Sequence, residues 1–218
     1  MTLFAAGAFD AHLSALASQD PRLAAVLERT GPPPMRRWPP GFATLVDVIV
    51  GQQVSVHAAR AIRARLLAAV GAFEPEVLVA ATDEQLIAGG LSRPKQKYIR
   101  GLARLVVDRT LDFDALPHLD DEAAIAMLVA APGIGRWTAE IYLLFALGRG
   151  DIWPADDLAI QAATGSVAGL AERPSPKATR ALGEAWRPWR GAAAHLMWHL
   201  YHHQTGRAGT NQVSGDSP

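Results

Sequence analysis

Apolar residues return every three to four positions through almost the whole chain, and runs that alternate with a period of two are scarce. Ala, Leu and Arg dominate these stretches, and such residues lose little side-chain freedom in a helix. The periodicity predicts helices near 8–18, 21–29, 42–51, 54–70, 83–89, 95–108, 121–130, 136–148, 157–168, 176–186 and 190–204. Breakers separate them: Gly31-Pro32-Pro33-Pro34, Trp38-Pro39-Pro40-Gly41, Gly89-Gly90, Pro132-Gly133, Gly148-Arg149-Gly150 and Pro174-Ser175-Pro176. Two helix starts have added support. Asp20 precedes Pro21 as an N-cap ahead of a first-turn proline, and Asp121 stands just before the apolar run from Ala123. The segment 205–218, TGRAGTNQVSGDSP, lacks apolar periodicity and is expected to be a disordered tail. The pattern predicts an all-α fold over 1–204, with short connections and no internal repeat.

Composition narrows the class. A chain of 218 residues that is 50% hydrophobic can bury a real core as one domain or two small lobes. No apolar run reaches the ~18 residues of a membrane span. The first residues, MTLFAAGAFDAHLSALASQD, carry Asp10 and His12 inside their apolar stretch and do not read as a signal peptide. With no cysteine, disulfides, thiolate metal sites and a cysteine nucleophile are excluded. A cytoplasmic setting is the expectation. The 21 basic and 21 acidic residues balance, which argues against a whole-surface polyanion binder and leaves a local basic patch open. Neither G-x-x-x-x-G-K-[ST] nor G-x-G-x-x-G is present, so no nucleotide cofactor is expected, and a monomer without cofactors is the simplest reading.

Candidate chemistry concentrates in two places. In LVAAPGIGRWTAE (128–140) a helix ends, Pro132-Gly133-Ile134-Gly135 turns, and a second helix starts at Arg136. Such a corner points consecutive backbone N–H groups outward at the positive end of the new helix, a seat for a phosphate. An ordinary αα-corner with a glycine cap would look similar. Downstream, GRGDIWPADDLAI places Asp156 and Asp157 where a loop hands over to a helix. Asp there is a good N-cap, and a carboxylate fixed at a helix start could also stabilise a cationic sugar or orient a water.

The hairpin, the Gly- and Pro-containing loop, and an Asp 22 positions after Gly135 together resemble the helix–hairpin–helix, Gly/Pro…Asp superfamily of DNA glycosylases. The type most similar is the bacterial alkylbase (3-methyladenine) enzyme. VIVGQQVSVHAARAI and RPWRGAAAHLMWHLYH extend the resemblance from about Phe42 to His203. It implies a helical two-lobed fold with the active-site cleft between lobes, one from about 1–52 plus 150–204 and the other about 53–149. It implies that Asp157, in a D-x-x-I context with Ile160, is the catalytic acid, and that Asp156 is not. Gly133 and Gly135 would hold a DNA phosphate, with a monovalent cation at the hairpin backbone as a candidate mediator and no metal held by side chains. Trp137 stands where bifunctional relatives carry a Schiff-base lysine, which implies a monofunctional enzyme. Trp198 would be a second pocket tryptophan, and Gln53 would fill the gap left by a flipped base. Three departures stand out: the family's extra N-terminal α/β domain is expected to be missing, with Trp38 as a substitute pocket wall; Gln53 replaces a leucine; and Ile141 replaces an aromatic. The activity implied is hydrolytic excision of alkylated bases (3-methyladenine, 7-methylguanine) from double-stranded DNA, leaving an abasic site.

The residue types suit that chemistry. Methylated purines carry positive charge, and indole faces attract cations by about 0.5–2 kcal/mol. The run SRPKQKYIRGLARLVVDR offers Lys95 and Lys97 to phosphates, with Arg136 as a further contact, although a basic helix face is usually only solvated. Ser55 and His57, near Gln53, are weaker DNA candidates. His195, His199, His202 and His203 cluster, but no H-E-x-x-H or third ligand accompanies them, so packing or solvent exposure is the better reading. A non-catalytic helix–hairpin–helix module that only binds duplex DNA is the rival, and the two differ at Asp157.

Overall fold

The computed structural model describes residues 2–206, and twelve α-helices and two short 3-10 helices, with no named strand, make up the regular structure among them. The chain divides into two compact units. One comprises residues 2–37 and 143–206; the other is Trp38–Tyr142. These limits differ from the expected ones, which lie near 52/53 and 149/150. The helix at 42–51 belongs to the second unit because its apolar faces pack on later helices of that unit, and residues 143–149 return to the first.

In the first unit, α1 (Ala8–Gln19) and α2 (Pro21–Thr30) pack on each other and on α12 (Arg190–Thr205), and α12 also packs on α10 (Leu158–Val167), which meets α11 (Pro176–Gly183). From Arg190 to Trp198 every residue of α12 is buried, so this helix forms the axis of the unit. Asp20 caps α2 through Arg22 N at 3.0 Å, as expected, and also accepts from Trp186 Nε1 at 3.0 Å. The Arg22 guanidinium holds the Asp20 carboxyl down at about 2. Leu3 N donates to Gly148 O at 2.6 Å, tying the first residues to the segment after the helix at 136–145.

In the second unit, α3 (Phe42–Gly51) packs on α4 (Val56–Val70) and α7 (Arg93–Val107); α5 (Pro75–Ala80) lies on α7 and α6 (Asp83–Ala88) on α4. α8 (Asp121–Val129) and α9 (Arg136–Phe145) flank the hairpin. α5 is absent from the sequence reading because its six residues include Val77 and Val79, whose β-branching gives a weak local helix signal. Packing on α7 supplies the rest. The other differences are at ends. Asp120, rather than Asp121, caps α8. α9 stops at Phe145, and Gly148 takes φ +64° as the chain turns back. α12 runs through Thr205 with Gly206 as its cap, so the expected tail begins later and otherwise lies outside the described residues. No helix among the described residues is long and apolar enough to cross a membrane.

Two histidines sit inside the first unit. His195 Nδ1 donates to Gly191 O (2.8 Å), and the ring packs edge-on against Phe9 and Phe145. Burial pushes its pKa from 6.5 to about 4, and burial also lowers that of His12. Between those values the unfolded chain binds more protons than the folded one, so stability is complete above about pH 6.5 and falls as pH drops towards 4. Urea unfolding midpoints are expected to decrease from pH 7 to pH 5 by the equivalent of about 1–3 kcal/mol, and His195→Phe is expected to make that decrease shallower.

Candidate functional site

Asp157 lies at the N-terminus of α10, 3% exposed. Its Oδ1 accepts from Ala159 N at 2.8 Å and from Ile160 N at 3.1 Å. The capping reading is therefore correct, and it is compatible with chemistry: two N–H donors at the positive end of a helix favour a negative charge and fix the carboxylate's direction. The approach to it is locked as well. Asp157 N donates to Pro154 O, Gln161 Nε2 to Ala155 O, and Trp153 Nε1 to Thr179 O, all at 3.0 Å. Asp156 is half-exposed and pairs with Arg180 at 3.5 Å, a surface position unlike that of its neighbour.

Trp198 belongs to the same unit and is 3% exposed. Its ring lies 5.3 Å from Phe145 and 6.1 Å from His195, centroid to centroid. Arg36 joins this cluster, its Cζ 5.7 Å from the Trp198 ring and 5.8 Å from the Phe145 ring. The histidines do not gather a metal: His199 pairs with Thr30 O, His195 with Gly191 O, and the described residues hold no group of three or more candidate ligands.

The second unit holds the hairpin. Gly133 has φ +81°, and a Cβ there would meet the Tyr98 ring at 2.5 Å, so the turn needs glycine for both backbone and space. Gly135 is exposed, with nothing within 4 Å of a Cβ built on it; its openness leaves room for a ligand to approach the backbone. Gln52 Nε2 donates to Gly133 O at 2.9 Å, binding the loop after α3 to the hairpin. That loop then holds Gln53 exposed at φ +57°, a conformation side chains seldom adopt, which aims the residue outward at a cost. Ser55 caps α4 through Ala58 N at 3.2 Å, and His57 is exposed. Trp137 is half-buried in the first turn of α9, and Ile141, one turn later, is buried. Trp38 is 4% exposed in a turn pinned by Gly41 N donating to the Tyr142 hydroxyl at 2.7 Å and by Thr44 Oγ1 donating to Pro39 O. Burial raises the Tyr142 pKa to about 12.

Two of the expected phosphate ligands are committed elsewhere. Lys95 Nζ donates to Val50 O (2.7 Å) and Gln52 O (2.8 Å), capping the C-terminus of α3, and burial lowers its pKa. Arg136 is held by Glu122 in a two-pronged pair and by Glu140 at 2.9 Å, which raise its pKa and neutralise its charge. Both serve the local structure because the fold brings carbonyl or carboxylate oxygens within hydrogen-bond distance of them. Lys97 is exposed, as a phosphate contact requires. Arg187 and Arg190 bind Asp151 and Glu184. The hairpin carbonyls of Ala131 and Gly133 each accept one bond, from Ile134 N and Gln52 Nε2. Each keeps a second lone pair, so oxygen donors of the kind a hard cation takes are present there.

Sequence reading missed Arg36 and Gln52. Arg36 sits in MRRWPPG, where two adjacent arginines between proline runs look like solvated linker; Gln52 is masked by its neighbour Gln53. The glycine geometry makes a sharp contrast. Gly133→Ala is expected to lower stability by about 2–4 kcal/mol, through the positive φ and the clash with Tyr98. Gly135→Ala, which meets nothing, is expected to stay within about 1 kcal/mol of the parent. Thermal unfolding of both variants checks this.

The chain matches the family model of the HhH-GPD superfamily base excision DNA repair proteins over residues 46–188. It is similar to the probable bifunctional transcriptional activator/DNA repair enzyme AlkA of Mycobacterium tuberculosis, 33% identical over 84% of this chain and 38% of that protein. The chain thus spans well under half of that relative's length. Among solved structures, a DNA-3-methyladenine glycosidase from Bacillus halodurans superposes with a TM-score of 0.83 at 33% identity, over 90% of this chain and 91% of that one. The Schizosaccharomyces pombe 3-methyladenine DNA glycosylase Mag1, solved with abasic DNA, gives a TM-score of 0.75 at 26% identity over 92% and 99%. With two thirds of its length inside the family model, this chain belongs to the HhH-GPD superfamily of base excision DNA repair proteins.

Proposed function

We propose that the protein is a monofunctional DNA N-glycosylase that excises alkylated bases from double-stranded DNA and leaves an abasic site. The observation that carries this is Asp157, a buried carboxylate whose Oδ1 is fixed by two backbone N–H groups in a chain of this superfamily. The 3-methyladenine glycosylases of Bacillus halodurans and Schizosaccharomyces pombe, to which the chain is similar, support the substrate class. The protein works as a monomer inside the cell, with no cofactor.

In this reading the hairpin corner takes a backbone phosphate through its N–H groups, and a monovalent cation held by the carbonyls at Gly133 would add positive charge there. Gly135 lets the strand approach, and Gln53 enters the space of the extruded nucleotide and hydrogen-bonds the orphaned partner base. The half-buried face of Trp137 attracts an electron-poor base. As the glycosidic bond lengthens the sugar turns cationic, and the carboxylate of Asp157 stabilises it and guides water to it. Trp198 supplies apolar surface in the first unit and Trp38 and Ile141 in the second, and Lys97 and His57 meet phosphates.

Asp157→Asn is the decisive variant, since Asn caps helices about as well as Asp and the fold survives the change. Release of methylated purines from duplex DNA is expected to fall by about 100-fold or more, while binding to the duplex persists. Release by Asp157→Asn at the parent's rate would overturn the role given to Asp157, and binding without any release by the parent would leave the binding-module reading. No lysine stands in the first turn of α9, where Trp137 is, so borohydride is expected to trap no covalent complex with damaged DNA; a trapped band on a denaturing gel would make the enzyme a lyase.

A further inference from the structure

Arg36 has a peculiar environment. Its Nη1 is buried and has no hydrogen-bond partner. The other deeply placed guanidinium of this unit, Arg190, is bonded at Nε, Nη1 and Nη2 to Asp151 and Glu184. Arg36 has instead the ring faces of Trp198 and Phe145, with Cζ at 5.7 and 5.8 Å. Two further polar atoms of the cluster also lack partners, Trp198 Nε1 and His195 Nε2. Burial lowers the Arg36 pKa, and attraction to Asp157 offsets part of that, so the two charges feel each other. A buried donor left without an acceptor is costly and calls for a reason. An acceptor that arrives with the substrate is such a reason.

We propose that Arg36 is a specificity-determining residue of the Asp157 site, a fixed cation over Trp198 that tilts the range of excised bases towards uncharged ones offering a hydrogen-bond acceptor and away from those carrying a positive charge. The inference rests on the glycosylase reading above. Three physical effects act in the same direction. The electron-rich face of Trp198 is already engaged by the guanidinium, so a cationic base gains less there. Like charges in a water-poor site repel more than in solvent. An uncharged base, by contrast, needs help to leave. The glycosidic electron pair departs with the base, water supplies oxygen to the sugar carbon, and the proton that water gives up ends on the departing base. Nη1–H of Arg36, donated to a carbonyl or ring nitrogen of that base, stabilises the negative charge that develops before the proton arrives.

Single-turnover release from duplexes holding one 7-methylguanine, a cationic base, or one hypoxanthine, an uncharged one, tests this in the parent, Arg36→Met and Arg36→Lys. In Arg36→Met the ratio of methylguanine to hypoxanthine release is expected to rise by about tenfold or more, whereas Arg36→Lys, which keeps the charge and a donor, stays within about threefold of the parent. A general loss of folding would slow both bases alike and leave the ratio unmoved. An unchanged ratio in Arg36→Met, with both bases still released, overturns the inference and leaves the glycosylase reading intact. Release of neither base by the parent overturns both. Should Arg36→Met not unfold cooperatively, Arg36→Gln takes its place with the same expected rise; if neither uncharged variant folds, Arg36 is a structural residue and the inference fails.

Discussion

Two backbone N–H groups at the start of α10 converge on one oxygen of Asp157, and much of the first unit is arranged to keep them there. Trp153 is held by Thr179, Gln161 holds Ala155, and Asp157 N returns to Pro154, so the loop before the helix has little freedom. A carboxylate free to rotate would lower its own energy by turning to water. One caught at a helix start, and almost wholly buried, cannot. The same physics recurs in the second unit, where the hairpin leads directly into the first turn of α9. The start of a helix is a place where a chain with no net charge can still present a field.

The neutral balance of charges has its own logic. Many of the arginines meet carboxylates: Arg136 with Glu122 and Glu140, Arg63 with Asp47, Arg100 with Asp83, Arg187 and Arg190 with Asp151 and Glu184. These pairs anchor segments rather than advertise charge. Lys95 does so through carbonyls, closing α3 and tying the loop that carries Gln53 to α7, while Gln52 ties the same loop to the hairpin. The strained Gln53 backbone is thereby over-determined by its surroundings, the condition under which a costly conformation persists.

Much of this was legible in advance because it is local. The helices follow from apolar spacing, and their ends follow from caps within three residues, such as Asp20 on Arg22 N or Asp157 on Ala159 N. The glycines of the corner, and the aspartate 22 positions beyond it, mark the family in one dimension. α5 was invisible for the complementary reason: its six residues have little helical preference of their own, and α7 is what holds them.

The amino-acid order by itself determined the all-α class, the hairpin and the capped aspartate, since those depend on contacts between near neighbours. Only the tertiary structure decided which cations are spent and which are open. Lys95 reaches carbonyls 45 and 43 positions away, Arg136 a glutamate 14 away, and Arg36 a tryptophan at the far end of the chain. A charged side chain takes whatever partner the fold brings within a few ångströms, and no periodicity records that distance.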